Sequence, residues 1–176
     1  MYSLLAKLSN RYNFYKSKLE EYSKYYFISD THFSDTNILT YRNKCKKIKN
    51  KFTNVGSMNK LIIKNIIDTI PEDSTLYILG DIGDCSLLTY LTNIKLIFIL
   101  GNHDNELNNN IKTKDTPLEI LNRVIIDNDL DATIVKEDNM KVLINDRDEK
   151  VKYYSICNNF IYLSHIPLYY NNSYNI

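Results

Sequence analysis

The chain has only three histidines, His32, His103 and His165, and each closes an apolar run that ends in polar residues. YYFIS leads into Asp-Thr-His (Asp30, His32), and IKLIFILG into Asn-His-Asp (Asn102, His103, Asp104). FIYLS ends at His165, and a further run, TLYILG, leads into Asp-Ile-Gly-Asp (Asp81, Asp84). Taken singly, each fragment has an ordinary explanation. Aspartates stabilise turns, and a histidine after an apolar run is commonly a hydrogen-bonded residue near the surface. Taken together, they offer carboxylate, imidazole and amide oxygen without thiolate, a donor set that suits Mn²⁺, Fe²⁺ or Zn²⁺ better than a sulfur-rich structural zinc site. A carboxylate shared by two ions about 3.5–4 Å apart supports a bridging hydroxide, the nucleophile for in-line attack on phosphorus. The expected chemistry is phosphoester hydrolysis.

Such a set works only if the fold gathers it. Near-continuous apolar runs predict strands covered on both faces, hence a layered α/β fold, in which ligands bind beyond the carboxyl ends of the strands. SMNKLIIKNIIDTI predicts a helix with Met58, Ile62, Ile66 and Ile70 on one face, stopped at Pro71. SLLTYLTN predicts a short helix capped by Ser86, and Thr116, Pro117 and Glu119 form a capping box opening another. Between Ala132 and Tyr154, ATIV, MKVLI and VKYYSI, broken by turns such as NDRDEK, predict antiparallel strands leading into FIYLS, so mixed sheets are expected. Ahead of the first strand, Leu5, Leu8, Tyr12, Tyr15, Leu19 and Tyr22 predict an amphipathic helix over residues 1–24. It would pack on its own domain, or pair with a copy of itself or another protein.

Length and composition narrow the function further. A chain of 176 residues predicts one domain over 25–176 plus the 1–24 extension. With 44% hydrophobic residues and a net charge of +1 it is globular, with no polyanion bias, so nucleic acid is expected only as a substrate. Cys45, Cys85 and Cys157 lie far apart, without the spacing of a zinc knuckle or disulfide framework, which predicts a reducing cytoplasm. No run reaches the roughly 18 apolar residues of a membrane helix, and the first residues lack signal-peptide character, so no membrane partner is expected.

In the order Asp-x-His, Gly-Asp-x-x-Asp, Gly-Asn-His-Asp and a later strand-end histidine, the sequence resembles the calcineurin-like metallophosphoesterases. It is most similar to their small bacterial and phage type, through YFISDTHFSDTNI, KFTNVGSMNKLIIKNI, LYILGDIGD, FILGNHD and LSHIPL, from about Tyr25 to Ile176. The resemblance implies a sandwich of layered mixed β-sheets flanked by helices, and two divalent ions, Mn foremost, with Fe, Zn or Ni as alternatives. It implies that Asp30, His32 and Asp81 hold the first ion. Asp81 would bridge to the second, which Asn102 and His165 also bind. His103 would face the substrate, as general acid toward the leaving oxygen or as a phosphate contact, with Asp104 orienting it and Asp84 supporting the ligands from behind. For Asp84 and Asp104 the plainer alternative is a turn-stabilising role. The implied activity is dinuclear, metal-dependent hydrolysis of a phosphodiester or nucleotide-like small molecule in the cytoplasm; a phage-encoded protein would act in the host cytoplasm or be associated with the virion.

Three departures qualify that picture. Asp35 stands on the substrate side where the family usually has histidine, and its charge would repel a phosphate. The 1–24 helix is additional. The Gly-His-x-His that usually follows LSHIPL has no counterpart in this sequence, so three ligands per ion are expected rather than four, with weaker metal affinity. The competing expectation is a catalytically impaired phosphoesterase-fold protein, acting as a binding or structural component through its N-terminal helix.

Overall fold

The computed structural model describes residues 24–45, 52–101, 103–104, 115–144, 150–156 and 161–165. The helix expected over 1–24, apart from Lys24, lies outside the described residues, as do Asn102 and Cys157. In chain order the elements are β1 (Tyr25–Ile28), α1 (Thr36–Lys44), α2 (Val55–Thr69), β2 (Thr75–Ile78), a 3₁₀ helix (Cys85–Leu91), β3 (Lys95–Phe98), α3 (Pro117–Asp127) and β4 (Ala132–Ile134). A 3₁₀ turn (Glu137–Asn139) then leads to β5 (Lys141–Ile144), β6 (Lys150–Ile156) and β7 (Ile161–Leu163).

The protein is α/β. Strands β1 to β4 lie side by side in chain order, every pair parallel, because a helical crossover returns the chain to the same end of the sheet each time. Alternate residues of the central strands serve opposite faces. Leu76, Ile78, Leu96 and Phe98 join Ile63 and Ile66 of α2, Leu88 and Leu91 of the 3₁₀ helix and Leu121 of α3 in the larger core. Tyr77 and Ile97 face the other way, into a smaller core with Tyr154 and Ile156 of β6 and Ile161 and Leu163 of β7. Strands β5, β6 and β7 form a separate antiparallel sheet. Three layers result: helices, parallel sheet, antiparallel sheet.

This corrects two expectations. The sheets are not mixed: the described strands segregate by direction. ATIV is not the first antiparallel strand but β4, paired in parallel with β3. It follows α3, which carries the chain back across the sheet, and Ala132 and Ile134 pack on the helix-side core. The short polar link from Lys136 to Asn139 joins the two sheets.

The helix signals mostly hold. α2 opens on a reciprocal cap, with Asn54 Oδ1 accepting from the Ser57 N–H at 2.8 Å, and it stops before Pro71. α3 opens on the Thr116–Glu119 capping box with Pro117 at its first turn. The segment expected to be capped by Ser86 is a 3₁₀ helix capped by Asp84, whose Oδ1 accepts from the Ser86 N–H at 3.1 Å. Leu88 and Leu91, three apart, both reach the core, a spacing the 3₁₀ repeat satisfies directly. α1 was not expected, and none of its residues is buried. Among the described residues no helix is long and apolar enough to cross a membrane.

Candidate metal centre

Parallel neighbours end at the same edge of the sheet, so the segments after β1, β2 and β3 meet there. The first two are stitched together. The N–H groups of Asp30, His32 and Phe33 donate to the carbonyls of Gly80, Asp81 and Ile82 at 3.1, 2.9 and 2.8 Å, and the Thr31 hydroxyl donates to Ile82 O at 2.9 Å. This extends the β1–β2 pairing past the sheet in a contorted form. Asp30, His32, Ser34 and Asp81 take left-handed φ values of 54°, 44°, 64° and 53°. Each left-handed L-residue costs of order 1–2 kcal/mol, a strain that gathers at functional sites and persists only where surrounding contacts hold it.

Asp104 supplies much of that hold. Its buried carboxylate accepts from the backbone N–H of Gly101 (2.8 Å) and Asp81 (2.7 Å) through Oδ2, and from Ile82 N–H (2.8 Å) through Oδ1. Asp104 was expected to orient His103, yet both its oxygens engage backbone amides, the turn-stabilising alternative. It latches the β3 loop onto the β2 loop and so sets the Asp81 backbone. Ser34 is gripped by buried Asn59 of α2, which accepts from its N–H at 3.1 Å and donates to its Oγ at 3.0 Å. Asp84 also belongs to this scaffolding: besides capping the 3₁₀ helix, it accepts from the Ser34 hydroxyl at 3.0 Å.

At the centre stands the nearly buried side chain of Asp81, with a ring of imidazoles around it. His32 Nε2 lies 3.4 Å and His103 Nε2 3.9 Å from its Oδ2, and His165 Nε2 lies 3.5 Å from its Oδ1. Asp30, Asp81 and His165 each place one donor atom within 4.8 Å of the others'. Asp30 Oδ1 is 3.9 Å from His32 Nε2. His165 Nδ1 lies 2.8 Å from the Leu79 carbonyl, which can only accept, so Nδ1 carries a proton there and Nε2 is the nitrogen turned toward Asp81. The His103 N–H donates to Asp81 Oδ1 at 3.2 Å while its ring, 57% exposed, sits at the rim, 5.8 Å between centroids from that of His32.

Four of the expected ligands, Asp30, His32, Asp81 and His165, are thus brought together, with His103 beside them; Asn102 is outside the described residues. Two carboxylates and inward-facing imidazole nitrogens fit a borderline divalent ion. Asp35 does not sit loose on the substrate side. Its Oδ1 caps α1, accepting from the N–H groups of Asn37 (2.7 Å) and Ile38 (3.1 Å), while Oδ2 lies 3.7 Å from His32 Nδ1. Arg42, in the last turn of α1, reaches the first loop, and sequence reasoning missed it along with Asn59. The signal for Asn59 was a polar residue inside the apolar stripe of α2.

Beneath the site, Cys85 reports how dry the scaffold is. Burial, aided by the charges of Asp104 and Asp84, pushes its thiol up to about 12. From the ordinary 9.0 up to that value the folded chain keeps a proton that the unfolded chain releases, so this group's contribution to stability declines as pH rises through the window. A maleimide at pH 8 is expected to modify exposed Cys45 and leave Cys85 untouched until denaturant is added, as read by peptide mass spectrometry. Labelling of Cys85 at the rate of Cys45 would contradict the burial of Cys85.

No family model matches the sequence. The chain is similar to the uncharacterized protein MJ1445 of Methanocaldococcus jannaschii, with 39% identity over 88 residues, covering 46% of this chain and 47% of that protein. It therefore spans about half the length of the curated relative it matches. Among solved structures it is similar to AQ665 of Aquifex aeolicus, a protein of unknown function, at 21% identity and a TM-score of 0.42, covering 75% of this chain and 60% of that one.

Proposed function

We propose that this chain is a metal-dependent phosphoesterase of the calcineurin-like kind, hydrolysing a phosphodiester or nucleotide-like small molecule. The observation that carries the proposal is the Asp81 carboxylate with three imidazole Nε2 atoms 3.4, 3.9 and 3.5 Å from it, at the carboxyl edge of a parallel sheet. The stacking of helices, parallel sheet and antiparallel sheet is consistent with that family's sandwich. Asp30, His32, Asp81 and His165, together with Asn102, would hold two divalent ions, Mn²⁺ foremost. Bound metal supplies an acidified water and neutralises charge on the phosphoryl oxygens. The protein's own groups do the rest. Leu79 O fixes the His165 tautomer, Asp104 fixes the Asp81 backbone, and His103 at the rim donates a proton to the leaving oxygen.

The purified chain, stripped with EDTA and reloaded with Mn²⁺, is expected to hydrolyse bis(p-nitrophenyl) phosphate in proportion to bound metal. Metal bound without turnover would favour the impaired, binding-only alternative. A chain that binds no metal and shows no turnover would overturn the proposal.

A further inference from the structure

Helix α1 poses a question of its own: none of its residues is buried, so apolar packing does not explain why it lies where it does. What ties it to the domain is polar. Asp35 caps its first turn, and in its last turn Arg42 reaches back across the first loop. Arg42 Nη1 donates to Thr31 O at 3.1 Å, and Nη2 donates to Asp30 O. Nη1 also lies 3.2 Å from Met58 Sδ, which seats the guanidinium on α2. The N–H groups of Asp30, His32 and Phe33 are already committed to the β2 loop, while the left-handed turns at Asp30 and His32 leave the Asp30 and Thr31 carbonyls within reach of Arg42.

We infer that Arg42 is a positioning residue for the metal centre: its planar fork clamps the carbonyls of Asp30 and Thr31, and so holds the Asp30 carboxylate and the His32 imidazole toward Asp81. The chemistry favours arginine. Two adjacent carbonyl oxygens match two Nη donors fixed in one plane, whereas a lysine ammonium is a point charge on a flexible stem. The charge also suits the place, since Asp30 and Asp35 flank the guanidinium and counter the pKa-lowering effect of its partial burial. Without the clamp, the backbone bonds to Gly80 O and Asp81 O alone would have to hold the left-handed turns at Asp30 and His32, and the loop would sample conformers in which Asp30 and His32 no longer face Asp81.

The inference rests on the metal-centre proposal for its consequence but not for its geometry, and two measurements separate them. In the metal-free full chain, hydrogen exchange at the Asp30 and His32 amides is expected to speed up at least about tenfold in Arg42→Ala, with β2 and β3 amides unchanged. In the metal titration, Mn²⁺ affinity followed by electron paramagnetic resonance is expected to fall about 10- to 100-fold, the range for loss of an outer group that orients ligands. The visible spectrum of the Co²⁺ form should change, and added ethylguanidinium should restore part of both signals. Arg42→Lys, which keeps the charge and loses the fork, covers the case in which the alanine variant does not fold and should show a smaller change of the same sign. Unchanged exchange and unchanged Mn²⁺ affinity in both variants would overturn the inference. If wild type binds no Mn²⁺ yet Arg42→Ala accelerates exchange at Asp30 and His32, the positioning role stands and the metal reading fails.

Discussion

Asp81→Asn is expected to abolish metal-dependent behaviour while leaving the fold intact. Asparagine keeps the shape of the side chain, tolerates the left-handed φ of 53°, and retains an oxygen to accept the His103 N–H. What disappears is the charge that faces His32, His103 and His165 and lies within 4.8 Å of the Asp30 and His165 donor atoms. Mn²⁺ affinity should therefore drop by more than the roughly 10–100-fold that loss of an outer-shell partner costs. The readout need not be catalytic. At a Mn²⁺ concentration 100 times its Kd, wild type gains about 2.7 kcal/mol, which raises Tm by about 5–10 °C in a chain of this size. The variant should show none of that rise. Its metal-free Tm should stay close to wild type, because the amide keeps the bond from the His103 backbone N–H, and loss of the charge removes repulsion from Asp30 and the imidazole contacts alike. A variant with the full Mn²⁺-dependent rise would remove Asp81 from the centre of the site.

Asp81 was legible because it closes an apolar run, and the same holds for Asp30, His32 and His165. A strand buried on both faces announces itself by continuous apolarity, and the parallel arrangement makes its end a place for ligands. Elements held by polar contacts were harder to see. α1 has no apolar stripe, so nothing in its spacing marks it as a helix; a cap at Asp35 and the long reach of Arg42 keep it in place. The clamp of Asn59 on Ser34 spans 25 residues, and that of Asp104 on Asp81 spans 23. Such partners are chosen by the finished fold, and local spacing carries no trace of them. Direction was lost at β4 for a related reason: a three-residue strand looks alike in either sense, and only α3 decides which way it runs.

The close approach of the β2 and β3 loops leads to the largest expected loss of stability. At Gly80, φ is +82°, and a methyl group would sit 2.5 Å from Gly101 N, 2.6 Å from Gly101 Cα and 2.7 Å from His165 Nδ1. Carbon contacts settle near 3.5–4.0 Å, so the loops must part by about an ångström. Gly101 cannot yield cheaply, because its N–H is bound to the same Asp104 oxygen that holds the Asp81 N–H. Gly80→Ala therefore adds a left-handed penalty of about 1–2 kcal/mol to an overpacking cost of about 1–3 kcal/mol. The total, about 2–5 kcal/mol, should appear as a fall in the denaturant midpoint at an unchanged m-value. Displacement of His165 and Asp81 should also weaken Mn²⁺ binding in whatever fraction folds. Gly56→Ala supplies the contrast. Gly56 lies in the first turn of α2, has no positive φ, and its methyl would meet only Asn54 Oδ1 at 3.3 Å. Relief of backbone entropy by about 0.5–1 kcal/mol offsets that tight contact, so this variant should stay within about 1 kcal/mol of wild type. Equal losses at the two glycines would mean that the tight junction between the β2 and β3 loops is absent in solution.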